Sequence, residues 1–267
     1  IHGAGNANMG LPVQYIHGMA SCSEWSGVPF SVLLNEAGVQ KDGTWLVLEG
    51  GDAGKFSHTL PVAKAMEDCF VAYGQNGDVL RVEQGFPIRA IVPGWEGPFN
   101  VKYLKHIKVV DQPYNTWNES MNHSIPRPDL GGKSRWHHFQ MAAKSVITRP
   151  SSGHKLPGPG FYDITGLAWS GKGKIKRVDV SVDGGRNWRE AVLQEPVLSR
   201  ALTRFRLPWQ WDGSPAILQS RAIDESGYVQ PTRAQLVAQR GLNSNYHYNA
   251  IQSWSVAANG EISNVHA

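Results

Sequence analysis

The sequence has little cysteine, no long apolar run and no strong charge of either sign. Cys22 and Cys69 are the two cysteines among 267 residues, and neither belongs to a C-x-x-C pair. That argues against a structural zinc site and against a disulfide framework. A single disulfide stays open, and two buried free thiols are the preferred reading. No apolar stretch reaches about 18 residues, so no segment reads as a membrane-crossing helix. Lys and Arg number 26 against 22 Asp and Glu, a net charge of +4. The densest basic patch, Lys172-Gly-Lys-Ile-Lys-Arg177, lies beside a hairpin pattern, where basic residues discourage edge pairing. Nucleic acid is therefore not the expected partner.

Several catalytic signatures are also missing. There is no H-E-x-x-H, no G-x-S-x-G and no phosphate loop. The ten His offer no pair at ligand spacing on an evident helix, so no metal-ligating set is expected. His137 and His138 are adjacent and would point to opposite faces of a strand. The box Ser181-Val-Asp-Gly-Gly-Arg-Asn-Trp188 matches the S-x-D-x-G-x-x-W box of sialidase-like propellers, but it occurs once. A propeller needs one such turn per blade, so a tight hairpin with a packed Trp188 is the better reading. The chain opens on Ile1-His-Gly-Ala-Gly-Asn6 without Met; the expectation is a processed, truncated or partly missing N-terminus.

What is abundant is Gly (29), Pro (16) and Trp (10), against a hydrophobic fraction of 41%. The chain is long enough for one large domain or two ordinary ones. Its Gly and Pro content predicts many turns and short strands. Many of the Trp side chains are expected to be half-buried.

The first half mixes helix and strand. Gly27 to Gly38 has helical spacing, with Ser31 as a candidate cap. Thr44 to Leu48 reads as a buried strand, ended by Glu49-Gly-Gly-Asp52. Leu60 to Asp68 reads as a short helix with Pro near its first turn. Phe70 to Tyr73 is a strand, and Gln75-Asn-Gly-Asp78 is a hairpin turn. Ile88 to Val92 and Ile107 to Val110 are strands flanking a Gly/Pro-rich loop, Pro93 to Lys102. Residues 111 to about 135 are irregular and read as a crossover. From about Trp136 the pattern is strands only. Lys176 to Val182, Thr203 to Leu207 and Ala216 to Ile223 alternate polar and apolar residues, with turns at Asp183 to Asn187 and Asp224 to Gly227. This second half predicts an immunoglobulin-like β-sandwich.

One segment carries candidate chemistry, Gln84 to Lys105. Gly94 and Gly97 would let backbone approach a ligand closely. Arg89 can fork onto an anion or a polar heterocycle, and Lys102 adds a point charge. The N–H groups of Phe99-Asn-Val-Lys102 could form an anion nest. The plain alternative is a Gly/Pro surface loop between strands.

Ala72-Tyr-Gly-Gln-Asn-Gly77, then Glu83-Gln-Gly-Phe-Pro-Ile-Arg-Ala-Ile-Val-Pro-Gly94, then Val101-Lys-Tyr-Leu104 resembles the molybdopterin-binding core of the sulfite oxidase family. The resemblance continues through Lys144-Ser-Val-Ile-Thr-Arg-Pro150, Ile164 to Gly171, the Ser181 to Trp188 hairpin, Ala222 to Pro231 and Arg240-Gly-Leu-Asn243, covering nearly the whole chain. Ser23 to Val28, Pro93-Gly-Trp-Glu-Gly97 and Arg240 to Asn243 are similar to the sulfane dehydrogenase branch of bacterial thiosulfate oxidation. The implied fold is α+β and β-rich: a mixed α/β molybdopterin-binding domain, partial here, over 1–135, then an immunoglobulin-like dimerisation domain over 136–267. The implied cofactor is molybdopterin with molybdenum. Asp52 and Arg89 would contact the pterin, and Asn100, Val101 and Lys102 would hold the phosphate end. Trp25 matches the aromatic beside the substrate pocket.

The pattern also breaks. The family's molybdenum-ligating Cys lies in [E]-C-x-G-N, and the matching stretch His2-Gly-Ala-Gly-Asn6 puts Gly3 there. Glycine supplies no soft sulfur donor, and neither Cys22 nor Cys69 replaces it by motif. Gly3 is read either as native or as an engineered or misassigned position. Asn8 stands about where sulfite-oxidising members carry an Arg, and Gln84 replaces their cofactor-contacting His. The family's active-site Tyr has its nearest position at His123, with Tyr114 upstream. The resemblance implies an oxidoreductase acting on a reduced sulfur group, either sulfane sulfur on a carrier protein or sulfite. It further implies a c-type cytochrome acceptor, a homodimer-type contact through the sandwich and a periplasmic location. The alternative is a non-catalytic member kept for assembly or partner binding.

Overall fold

Apolar alternation in short Gly- and Pro-punctuated runs gives sheets, and a computed structural model shows them over residues 11–242 and 246–267. The chain divides into two units, one made of 22–124 with 137–139, the other of 11–21, 125–136 and 140–267. Residues 11–21 group with the later residues because Val13 and Ile16 pack into the sandwich core.

The first unit holds two antiparallel sheets. In one, Trp25–Pro29 pairs with Phe70–Gln75, which also pairs with Asp78–Val79 and Arg89–Ile91. In the other the order is Ser57–Pro61, Trp45–Gly50, Leu104–Val110. Asn76 and Gly77 both take positive φ, 53° and 83°, the left-handed pair a two-residue hairpin needs. Helices Phe30–Glu36 and Val62–Asp68 cover a core that includes Phe30, Leu46, Leu48, Leu60, Phe99 and Val101.

The helix expected from Gly27 begins at Phe30, because Val28 pairs with Val71 in a strand. Pro29, not Ser31, is its N-cap, and no side chain caps it. The helix expected from Leu60 begins at Val62, because Leu60 and Pro61 finish a strand opposite Leu46 and Trp45. Irregular structure expected over 111–135 contains a turn of π-helix, Asn118–Asn122, and the short strands Ser124–Pro126 and Arg135–His137.

The second unit is an immunoglobulin-like β-sandwich. One sheet has the order Lys144–Arg149, Gly160–Trp169, Thr203–Trp211, Val192–Gln194. The other runs Arg189–Glu190, Ile175–Ser181, Ala216–Asp224, Ser253–Val256, Ile262–Val265. Strict alternation along Thr203–Trp211 sends Phe205, Leu207, Trp209 and Trp211 into the core. The Asp183 turn is a tight hairpin, as expected: Asp183 accepts from Asn187 N at 2.9 Å, Asn187 Nδ2 at 2.7 Å and Ser181 Oγ at 2.8 Å. These bonds hold its carboxyl well below the usual range. Trp188 packs under the Arg221 guanidinium at 4.3 Å. The expectation of strands only fails at Arg233–Arg240, an α-helix opened by a capping box between Thr232 and Gln235, a short signal at the edge of a strand-rich run.

Lys144 is the chemically costly residue of this core. It is 3% exposed, and its Nζ donates to Tyr248 O at 2.5 Å and lies 5.4 Å from the Tyr248 ring. Burial pushes its ammonium from the ordinary 10.5 down to about 7. Of the two cysteines, Cys69 is buried and Cys22 is exposed, and both are free thiols, so the reading of two buried thiols holds for Cys69 alone.

Candidate functional site

The candidate segments converge in the first unit. Arg89 opposes Ala72 on one side of the strand Phe70–Gln75, and Gly27 opposes the same Ala72 on the other. A Cβ at Gly27 would stand 2.3 Å from Val71 O, so only glycine lets the Trp25 strand close here. This register brings the Arg89 guanidinium 4.9 Å from the Trp25 ring centre. Arg89 is buried at 8% exposure; it donates to Gln84 O at 2.8 Å through Nη1 and to Asn100 O at 3.1 Å through Nη2. Its Nε, also buried, has no hydrogen-bond partner. Burial lowers its pKa from the ordinary value, with Tyr103 opposing. Arg89 thus bridges two loops, stacks on an indole and keeps one N–H unsatisfied, an arrangement that suits an acceptor-rich ligand.

The loop Pro93 to Lys102 is built against that arginine. Gly94 has φ +75°, a conformation that requires glycine. Gly97 has open space where a Cβ would stand, as a close ligand approach would need. Asn100 Oδ1 accepts from Val92 N at 2.8 Å, which fixes the loop to its own base. Ala90 N donates to Val101 O at 2.9 Å, and the Val101 side chain is buried in the core. Only the backbone of Val101 can therefore face a ligand. Phe99 N and Asn100 N donate to Glu96 O and Gly97 O, so two of the four N–H groups expected to form an anion nest are already engaged. Lys102 is exposed, and its Nζ reaches Glu83 O at 2.6 Å. Its side chain lies over Gly85, φ +107°, where a Cβ would come within 3.0 Å of Lys102 Cβ.

Asp52 enters from the neighbouring turn. Gly51 N donates to Tyr103 O at 2.7 Å, which joins this turn to the Lys102 strand end. Asp52 Oδ1 accepts from Phe56 N at 3.2 Å and lies where a Cβ on Gly50 would meet it at 2.6 Å. Asp52 is therefore a turn residue, with its other oxygen available for a ligand donor.

The structure therefore groups Trp25, Asp52, Arg89, Asn100, Val101 and Lys102 around one region. His123 lies against His58 and Phe56. It stacks on His58 with ring centres 5.5 Å apart and meets Phe56 at 6.1 Å. Burial lowers its pKa, with Glu96 and Glu119 opposing. Gly3 and Asn8 lie outside the described residues.

Two residues that sequence reading passed over sit in this cluster. His58, 3% exposed, places Nδ1 3.3 Å from Glu119 Oε1 and its ring 4.1 Å from the Phe99 ring. Glu119, 5% exposed, accepts from Thr59 N at 2.7 Å and Thr116 N at 2.8 Å. Burial takes the His58 imidazole down to about 4 despite the opposing pull of Glu119, so it is neutral at physiological pH. The sequence distance between them, and the absence of a motif, hid the pair.

The family described as oxidoreductase molybdopterin binding domain matches residues 2–118, and the Mo-co oxidoreductase dimerisation domain matches 135–253. The chain is 32% identical to the mitochondrial sulfite oxidase of Drosophila melanogaster over 86% of its own length and 45% of that protein. It is 32% identical to the NADH nitrate reductase of Solanum lycopersicum over 72% of its own length and 24% of that protein. Among solved structures it is similar to the sulfane dehydrogenase SoxCD from Paracoccus pantotrophus, with TM-score 0.92 and 47% identity over 96% of this chain and 66% of that one. The chain thus spans less than half the length of these curated relatives.

Proposed function

The chain belongs to the sulfite oxidase family of molybdopterin-dependent oxidoreductases, and from that premise we propose that it is the cofactor-binding and dimerisation part of a sulfane dehydrogenase-type enzyme. The observation that carries this is Arg89: buried, bridging Gln84 O and Asn100 O, stacked on Trp25, with an unsatisfied Nε. A pterin offers ring nitrogens and a carbonyl as acceptors and N–H groups as donors. Arg89 fits the acceptors, and the open oxygen of Asp52 fits the donors. The exposed Lys102 ammonium and the open backbone at Gly97 fit a phosphate. The residues present therefore suit the cofactor.

When bound, the molybdenum cofactor supplies two-electron redox chemistry with oxygen transfer. The chain's own residues bind and orient. Asp52 and Arg89 would hold the pterin, Asn100 holds the loop by its side chain, and Val101 and Lys102 would present backbone and charge to the phosphate end. Trp25 walls the substrate side, and its indole shields the Arg89 charge from water, which strengthens that arginine's hydrogen bonds. The net reaction adds one oxygen from water to a reduced sulfur group. It releases two protons and two electrons, the latter passing singly to a c-type cytochrome.

The substrate we favour is sulfane sulfur on a carrier protein rather than free sulfite. Asn8 at the position of the sulfite-binding Arg supports that choice, since a neutral amide offers an anion little. We assign the first domain to about 1–135, the sandwich to about 136–267 with a homodimer-type contact, and the location to the periplasm. His123 is assigned to the wall behind the cofactor rather than to substrate contact. Gly3 favours a second reading, a non-catalytic member, because the soft thiolate ligand is lost. Pterin and metal analysis of the purified full-length protein tests the proposal. About one pterin per chain is expected. Absence of both pterin and molybdenum overturns it, and pterin without molybdenum selects the second reading.

A further inference from the structure

We propose that His58 and Glu119 are positioning residues that hold the two arms of the cofactor grip in register, through Phe99 on one side and Phe56 on the other. This rests on the molybdopterin reading above and names residues that reading does not use. Both are buried, at 3% and 5% exposure, so the role is positioning and not chemistry.

The geometry starts at Glu119. It sits in the π turn Asn118–Asn122, a rare element that recurs at functional sites. One carboxylate oxygen accepts from Thr59 N at 2.7 Å and the other from Thr116 N at 2.8 Å. The same Oε1 stands 3.3 Å from His58 Nδ1. The turn is thereby tied to the strand Ser57–Pro61. His58 passes the constraint on. Its ring lies 4.1 Å from that of Phe99, and Phe99 directly precedes Asn100-Val101-Lys102. On the other side the Phe56 ring is 6.3 Å from His58 and 6.1 Å from His123. The N–H of Phe56 is the one that Asp52 Oδ1 accepts. One aromatic and imidazole stack therefore backs both the Asp52 turn and the phosphate-end loop. Phe99 is further enclosed by Trp95 at 4.8 Å and Phe139 at 5.6 Å, so a shift of His58 is transmitted rather than absorbed.

Plain core filling does not account for the pair. A buried carboxylate and an imidazole whose Nε2 has no partner are less favourable in a core than two apolar side chains of the same volume. What they add is direction, because Glu119 pins Thr59 N beside the ring and His58 Nδ1 lies 3.4 Å from Thr59 O, polar contacts that fix orientation where packing alone leaves it loose.

The test uses the full-length protein from a host that makes the cofactor and reads pterin release, not turnover. Wild type, His58→Ala, His58→Phe and His58→Asn are diluted into cofactor-free buffer, and free pterin is followed by fluorescence. Thermal melting is run alongside to establish folding. Phe keeps the ring and loses the polar Nδ1 that faces Thr59 O and Glu119; Asn keeps a polar group there and loses the ring. Release on the order of 10- to 100-fold faster is expected for Ala and Phe, the size typical when support behind a ligand-contacting group is removed, with partial recovery in Asn. Wild-type release in all three variants overturns the proposal. So does tight retention in Phe with loss in Asn, which makes the position a packing site. Wild type without any pterin overturns the molybdopterin reading itself, and this inference falls with it.

Discussion

Replacing Lys144 by Met should stabilise the sandwich, and by an amount that depends on pH. The ammonium is 3% exposed, has one hydrogen-bond acceptor in Tyr248 O, and is depressed from 10.5 to about 7 chiefly by burial. Each tenfold loss of proton affinity is worth about 1.4 kcal/mol. The depression from 10.5 to about 7 therefore costs the folded state on the order of 4 kcal/mol near neutral pH. Its folded-state pKa lies below its unfolded value, so between about 7 and 10.5 the unfolded chain binds more protons. Wild-type stability consequently rises with pH across that window, and below it the full penalty is present. The gain from Lys144→Met should be largest at pH 6 to 7 and shrink toward zero near pH 10. Loss of the Tyr248 bond and ring contact trims the gain by about 1–2 kcal/mol. Urea unfolding at a series of pH values, followed by the fluorescence of the buried sandwich tryptophans, measures the difference. A difference that does not change with pH, or a loss of stability throughout, would refute the assignment of Lys144 as an uncompensated buried amine.

Arg89→Gln should weaken pterin retention, because a hydrogen bond to a charged donor is worth about 1.5–3 kcal/mol and two loop contacts are lost with it; pterin per purified chain measures this. Gly85→Ala should destabilise the first unit by about 1–3 kcal/mol, from a positive φ forced on a side chain and from contact with Lys102, and a lower midpoint in thermal unfolding checks it. Cys22 should react with a thiol reagent in the folded protein, whereas Cys69, buried and pushed up to about 12, should react only on unfolding. Gly3→Cys should introduce sulfur-oxidising activity into cofactor-loaded protein if loss of the thiolate is the one defect, and steady-state cytochrome reduction reports it.

What the sequence made legible was whatever depends on neighbours along the chain. Asn76-Gly77 dictates a turn because both residues tolerate positive φ, and Asp183 to Asn187 closes on bonds between residues four apart or fewer. The alternation over Thr203 to Leu207 announces a sheet face, and the observed strand simply extends it to Trp211. The candidate loop was found by its Gly and Pro content and by a long ordered motif, and the structure gathers Trp25, Asp52, Arg89 and Lys102 from separate elements. The misses share one cause. At Val28 and Leu60 the local spacing is helical, but pairing with Val71 and Leu46 across a sheet decides the conformation; tertiary pairing overrides propensity. His58 and Glu119 are harder still. Thr59 and Glu119 lie 60 residues apart, and a lone His in an apolar strand reads as ordinary core. Only the fold shows that the carboxylate beside that histidine belongs to the turn Asn118–Asn122, and that the histidine ring lies against Phe99. The motif therefore names the candidate contacts, while residues packed behind them come from segments with no motif at all. A substitution scan confined to the motif would include Arg89 and leave out His58 and Glu119.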